Sequence, residues 1–361
     1  MLSRNILHLA AAGLSLAALG SSAQRIAPVP SDPLEMVTGQ SPVVNNPASR
    51  AAALDLLAQA RRSYALRSSG QAYDLKVKFT VTSGGETQYD GAWEMEDVFD
   101  PTQGLRWTAK AEAGFTTTQI AANGMFYGDG TSSSMPLRLQ EARAALLDPI
   151  PAARNVERQV VRTSTATFNG VRLTCVLFSA SKDAAIPGRR WEETEECMDP
   201  QTGLLMVHSQ IPGRYYAYEY GELPQPGAYV LPKRVTVTEA GKTVSVISVV
   251  SLDALSNVDA SLFQPTPEMV AKGPSVAMAG AQKIASVVGK SASDIAQPVC
   301  IFGLVTATGE LVEAHSLQPS DPNSAAALDA AKRMNFSHAV SAAGRPQQHF
   351  VFLIEKFVAA Q

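Results

Sequence analysis

The densest acidic run in the chain is Glu192, Glu193, Glu195 and Glu196, directly after Trp191. Two carboxylates at a set separation could perform acid/base hydrolysis, and a group of them could hold Ca²⁺. On a strand these side chains alternate between faces, so a hydrolase would need two of them on one side of a cleft. A carboxylate turned inward is costly unless paired, with Arg189 or Arg190 as the obvious partners. The alternation favours a solvated edge or outer face over either chemistry.

Cys175 and Cys197 fall at the centres of two predicted strands, and in a chain bound for an oxidising compartment they read as a disulfide, the alternative being two buried thiols. Cys300 is the odd thiol, read as a buried strand residue because no histidine lies near it in sequence to lower its pKa. His208, His315, His338 and His349 lack the i, i+2 or i, i+4 pairings of metal sites, so no metal ligand is assigned. Gly128-Asp129-Gly130 does not open a helix, as a phosphate-binding glycine loop must, and no G-x-S-x-G elbow occurs. The chain is therefore read as a non-enzyme, with no catalytic residue and no cofactor. Tyr216, Tyr218 and Tyr220 share one strand face, which suits either the lining of a cavity for an apolar ligand or core packing against helices.

The elements that must position these residues begin after a targeting segment. Arg4 supplies a positive start, Ile6 to Leu19 an apolar stretch and Ser21-Ser22-Ala23 a small-residue cleavage site, so residues 1–23 read as a signal peptide cut after Ala23. The apolar stretch is shorter than the ~20 residues that span a bilayer. A periplasmic protein, not integral to the membrane once processed, is expected. With 361 residues, 45% hydrophobic and 17% charged, the chain can build a substantial core. A net charge of −3 without a Lys/Arg cluster argues against nucleic acid as a partner.

Residues 24–48 carry five prolines and read as a tether. From 49 to 265 a helix at Ser49 to Arg67 precedes a long series of alternating runs: Leu75, Val77, Phe79 and Val81 face one way, and Ser83-Gly84-Gly85 turns the chain. Strands follow near Gln88 to Phe99, Leu105 to Ala111 and Thr116 to Tyr127. A helix between Pro136 and Pro149 interrupts them, Asn169-Gly170 marks a tight hairpin, and further strands run on to Leu255. Many antiparallel strands twist into a curved, half-barrel sheet, with the helices available to cover its concave side. The order of elements, with Cys197-Met198-Asp199-Pro200-Gln201-Thr202-Gly203-Leu204 and the stretch Asp259 to Phe263, resembles the LolA/LolB-like lipoprotein-carrier superfamily. That resemblance implies a periplasmic lipid or lipoprotein carrier.

Residues 266–297 read as a linker with a weak helix at Ala279 to Val288. From 298 to 361 the pattern is strand, strand, helix, strand: a reversal at Thr308-Gly309, a helix capped by Asp321 with Pro322 at its first position, and a last strand from Gln347 to Phe357. Gly309, Leu311, Leu317, Leu328 to Lys332, Phe336, Ala339, Gly344 and Pro346 match the pattern of the TonB C-terminal domain family, to which this stretch is similar; Ser337-His338-Ala339 departs from it. The resemblance implies protein contact. The expected fold class is thus α+β, a large curved antiparallel sheet followed by a small β-β-α-β unit. The main expectation for function is an envelope adaptor that captures an envelope protein by strand addition at its last strand, through Phe350, Phe352 and Ile354. The alternatives are a carrier of lipid or lipoprotein and a hydrolase using Glu192 to Glu196.

Overall fold

The structure, a computed structural model, describes residues 35–36, 47–82, 89–122, 125–131, 136–151, 159–179, 189, 193–221, 229–274, 282–292, 298–337, 339–340, 346–347 and 349–358. The expected signal peptide, most of the tether, the turn at 83–85, Arg190 and Glu192 lie outside these residues.

The alternation from Leu75 to Val81 places every second side chain of β2 (Tyr73–Val81) in the core and its neighbours toward solvent. The same logic builds β3 (Gly91–Asp100), β4 (Gly104–Ala111), β5 (Thr116–Ala122) and β6 (Met125–Gly130). The predicted single strand from Thr116 to Tyr127 is thus two, paired antiparallel. Helix α2 (Leu137–Leu147) sits where Pro136 and Pro149 bracket it. After it come β7 (Val160–Phe168), β8 (Val171–Ser179), β9 (Thr194–Met198), β10 (Leu205–Ile211), β11 (Arg214–Glu219), β12 (Arg234–Glu239) and β13 (Lys242–Ala254). Asn169 and Gly170 both take positive φ, 49° and 78°, the geometry of a two-residue hairpin turn that twists with its strands. With β1 (Glu35–Met36), from the expected tether, these strands form one 13-stranded sheet in the order β1-β7-β8-β9-β10-β11-β12-β13-β2-β3-β4-β5-β6. All the pairings in it are antiparallel.

Helix α1 (Pro47–Ser63) and α2 pack into the same core on one face of this sheet. Ala53, Leu57, Ala60 and Tyr64 at one helix, and Leu139, Ala142, Ala145 and Leu146 on the other, meet Val77, Trp93, Trp107, Val237 and Ile247. A second cluster holds Ala166, Phe168, Leu173, Leu177, Val207 and Tyr215 around a disulfide that joins the register partners Cys175 and Cys197.

The smaller sheet contains β14 (Gln282–Lys290), β15 (Val299–Val305), β16 (Leu311–Ser316) and, after β17 (Ala339–Val340) and β18 (Pro346–Gln347), the last strand β19 (His349–Val358). Its order is β14-β19-β15-β16, with β14 parallel to β19 and the other pairs antiparallel. Two expectations are corrected here. The stretch expected as a linker carries a short helix α3 (Pro267–Lys272) and the strand β14, where a weak helix was expected from Ala279 to Val288. And β19, expected as a free edge, is central, because β14 returns to pair with its outer side.

Helix α4 (Ser324–Lys332) starts two residues beyond Pro322; Asp321 Oδ1 instead accepts from the amide of Asn323 at 2.8 Å in the preceding turn. Its Ala327 and Ala331 cover one face of the small sheet, against Val299, Ile301, Val351 and Leu353. The opposite face, Cys300, Phe302, Phe350, Phe352 and Ile354, packs on Leu137 and Ile211 of the large-sheet unit. With both faces covered, β15 and β19 are apolar almost continuously instead of alternating. Gly213 shows how close this junction is: a Cβ there would lie 2.9 Å from Leu317 Cβ, and its φ of +89° already favours glycine.

The disulfide closes a loop of 22 residues. Replacing both cysteines by alanine is expected to lower unfolding free energy by about 3 kcal/mol on the chain-entropy account, read as a reduced urea midpoint.

Candidate functional site

The described members of the acidic run that suggested chemistry are buried, which corrects the expectation of a solvated face. Glu193, Glu195 and Glu196 are each no more than 1% exposed. Burial is possible because every one of them has a polar partner. Arg162 grips Glu193 with Nε and Nη2 at 2.6 and 2.7 Å, Arg189 reaches Glu195 at 3.1 Å, and His208 lies 2.9 Å from Glu196. Glu195 and Glu196 are adjacent on β9 and point to opposite sides of the sheet, so they do not form a hydrolytic pair. Burial raises the Glu196 carboxyl above its ordinary value, with His208 opposing the shift. Glu195, Cys175 and Cys197 lie close enough to suggest metal ligands, but both sulfurs are in the disulfide.

The three tyrosines are not in the lining of the cavity described below. Tyr216 hydrogen-bonds Glu141 of α2 and Arg214. Tyr220 donates to the Leu205 carbonyl at 2.6 Å and meets Tyr64, whose hydroxyl accepts from the Leu205 amide at 2.8 Å. Tyr218 is 1% exposed between them. All three belong to the core beneath the helices, where Tyr64 closes over them.

Phe350, Phe352 and Ile354 do form a contact surface, but the contact is with their own chain. Phe302 and Phe350 lie under two guanidiniums: Arg138 is 5.1 and 5.4 Å from the ring centres, Arg214 4.9 and 5.8 Å. Arg138, on α2, donates to Glu239 of β12 at 2.9 Å, to Glu141 at 3.2 Å and to Glu313 of β16 at 2.8 Å. Arg214 donates to the same Glu239 oxygen at 2.7 Å and also pairs with Glu141. His315 Nε2 lies 2.7 Å from the other oxygen of Glu239. Glu313 and His315 bring the small sheet into a cluster otherwise built from α2, β11 and β12.

A cavity with room for a ligand lies elsewhere, between the helices. It has a volume of about 420 Å³ and is lined by Arg61 and Tyr64 at the end of α1, Leu66, Arg67 and Ser68 in the following turn, Gln140, Arg143, Ala144 and Leu147 of α2, and Trp107 of β4. Asp97 of β3, fully buried beside it, accepts from Tyr73 at 2.9 Å, Arg67 at 3.1 Å and Arg143 at 2.5 Å. Arg143 also stacks 4.6 Å above Trp107. Burial, opposed by Asp97 and reinforced by Arg67, makes Arg143 easier to deprotonate than an ordinary arginine. The sequence gave no sign that Arg143 and Trp107 would meet Arg61 and Arg67.

No family model matches the chain, and no curated protein matches it. Among solved structures it is similar to a DUF1329 family protein from Desulfovibrio piger, at 9% identity over 59% of this chain and 96% of that one, with a TM-score of 0.39. It is similar also to a putative outer membrane lipoprotein-sorting protein domain from Vibrio parahaemolyticus, at 11% identity over 58% and 95% of the two chains, TM-score 0.36. A LolA superfamily protein from Nitrosomonas europaea gives 11% identity over 59% and 97%, TM-score 0.33. No described helix is long and apolar enough to cross a membrane.

The charge cluster sets a pH dependence. Burial pushes the Glu239 carboxyl up, but Arg138 and Arg214, helped by His315, outweigh it and hold it well below its ordinary 4.5. The folded state therefore binds fewer protons at this group, and its stabilisation is present above about pH 4.5 and lost as pH falls toward the folded value. Glu313 runs oppositely, since burial outweighs Arg138 and raises it; its contribution is full below about pH 4.5 and declines as pH rises through the raised value. Glu239→Gln is expected to lose about 3 kcal/mol near neutrality and to flatten the decline of stability between about pH 5 and pH 3, measured by urea unfolding.

Proposed function

We propose that this is an exported envelope protein that binds and carries an amphipathic, lipid-class ligand in the cleft between α1 and α2. The observation that carries the reading is the cleft itself, about 420 Å³ with Trp107, Tyr64, Leu66 and Leu147 in its wall and arginines among them. Such a volume and mixed lining suit a small amphiphile, with apolar walls for a chain and a few placed polar groups for a head. Export is supported by the sequence from Arg4 to Ala23, and the carrier role by the resemblance of residues 49–265 to the LolA/LolB-like superfamily.

A second reading keeps a contact role for the C-terminal TonB-like stretch. One observation favours it: β14 is an edge of the small sheet, and its Val287 is 67% exposed. A partner strand would add there or at β16, not at β19.

Ala144 is exposed on α2 and lines the cleft, so Ala144→Trp should fill the space without disturbing the core. Native mass spectrometry of the full chain purified from envelopes is expected to show a co-purifying lipid that is reduced at least about tenfold in this variant. An empty wild type that also binds no added amphiphile would sink the carrier reading.

A further inference from the structure

The wall of the cleft holds three guanidiniums against two carboxylates. Asp148 pairs with Arg61 at 3.2 Å at the mouth, where its side chain is 65% exposed. That leaves Asp97 alone to balance Arg67 and Arg143, and both approach it with Nη2. The other hydrogen-bond partner at Arg67 is the phenol of Tyr73, which carries no charge to offset it. One positive charge is therefore uncompensated beside Trp107, Leu66 and Leu147, and at Arg143, whose side chain is 19% exposed, water screens it less than at an open surface.

We infer that the cleft is selective for an oxyacid anion, carboxylate or phosphate, borne on an acyl chain, with the anion between Arg67 and Arg143 and the chain against Trp107, Leu66 and Leu147. The inference rests on the reading of the cleft as a ligand site and names the class of ligand. A guanidinium presents a planar fork of donors that matches two oxygens of one anion, a geometry that an ammonium does not offer. An anion here completes the charge balance that Asp97 leaves half met. A neutral head would leave that charge unmatched and a cationic one would add to it, so the same residues that attract one class reject the others. Arg143 lies over the Trp107 ring, so the charged site and the apolar wall of Trp107, Leu66 and Leu147 adjoin.

The test uses the full chain freed of bound lipid and four probes: dodecanoate, dodecyl phosphate, the neutral monododecanoylglycerol and inorganic phosphate. Binding is followed by calorimetry and by tryptophan fluorescence, with Trp107→Phe identifying the signal from the cleft. The two anionic dodecyl probes are expected to bind at least about tenfold more tightly than the neutral ester. Arg143→Gln or Arg67→Gln should erase that preference while neutral binding stays, and Asp97→Asn should enlarge it by removing the competing carboxylate. The wild-type comparison decides the matter even if a variant fails to fold. Equal affinity for neutral and anionic dodecyl probes overturns the inference and leaves the carrier reading standing. Failure of all three dodecyl probes, with Ala144→Trp changing nothing, overturns the carrier reading and this inference with it. Inorganic phosphate binding as tightly as dodecyl phosphate overturns the acyl part and assigns the site to a free anion.

Discussion

A single carboxylate, Glu239, organises the middle of this molecule. It accepts from Arg138 and Arg214 at 2.9 and 2.7 Å and lies 2.7 Å from His315, so it ties α2, β11 and β16 to the end of β12. Placing such a charge out of water is unfavourable by itself, and the attraction of two guanidiniums offsets that only while all of them keep their places. The arginines in turn are held over Phe302 and Phe350, so the geometry of the ions is set by the packing of the small sheet. Packing and charge depend on one another here, and neither sheet could shift relative to the other without breaking both.

Asp97 repeats the arrangement on a smaller scale, with one difference that bears on function. Glu239 sits in a closed junction where three acids face two arginines and a histidine, whereas Asp97 faces two arginines beside open space. One cluster is a closed fastening, and the other borders the cleft. The aromatic core lies on the same covered face: Phe79 stacks on Trp93 at 5.3 Å and Phe115 lies 5.4 Å from the same ring.

Local pattern was enough to place most elements. Period-two alternation located β2, Asn169-Gly170 fixed the β7–β8 hairpin, and two prolines bracketed α2. What local pattern does not carry is the identity of partners distant in the chain. Gln282 to Lys290 looks like a linker because its residues are small and mixed, and it becomes a strand only by pairing with β19 some 70 positions later, as in Gln282 with Val351. Whether β19 is an edge or a centre depends on that pairing alone. The glutamate run was read as solvated because its partner Arg162 comes from 31 positions upstream of Glu193. The cleft was the least readable feature, since Arg67, Trp107 and Arg143 lie on three elements and share no motif. Phe350, Phe352 and Ile354 were expected to meet a partner strand at a free edge; their alternation does not show that the face they share packs on Leu137 and Ile211 of the same chain.

The Arg138–Glu313 bond bears on how such a chain could be cut, grafted or recombined. A segment that begins near residue 298 looks detachable by sequence, with its own sheet and its own helix. Removing it would leave Arg138 with one acid fewer, uncover Leu137 and Ile211, and take His315 from Glu239. The last sixty residues therefore behave less as a cassette than as the closing face of the large-sheet core, and a chimera that transplants them must carry Arg138, Arg214 and Glu239 along.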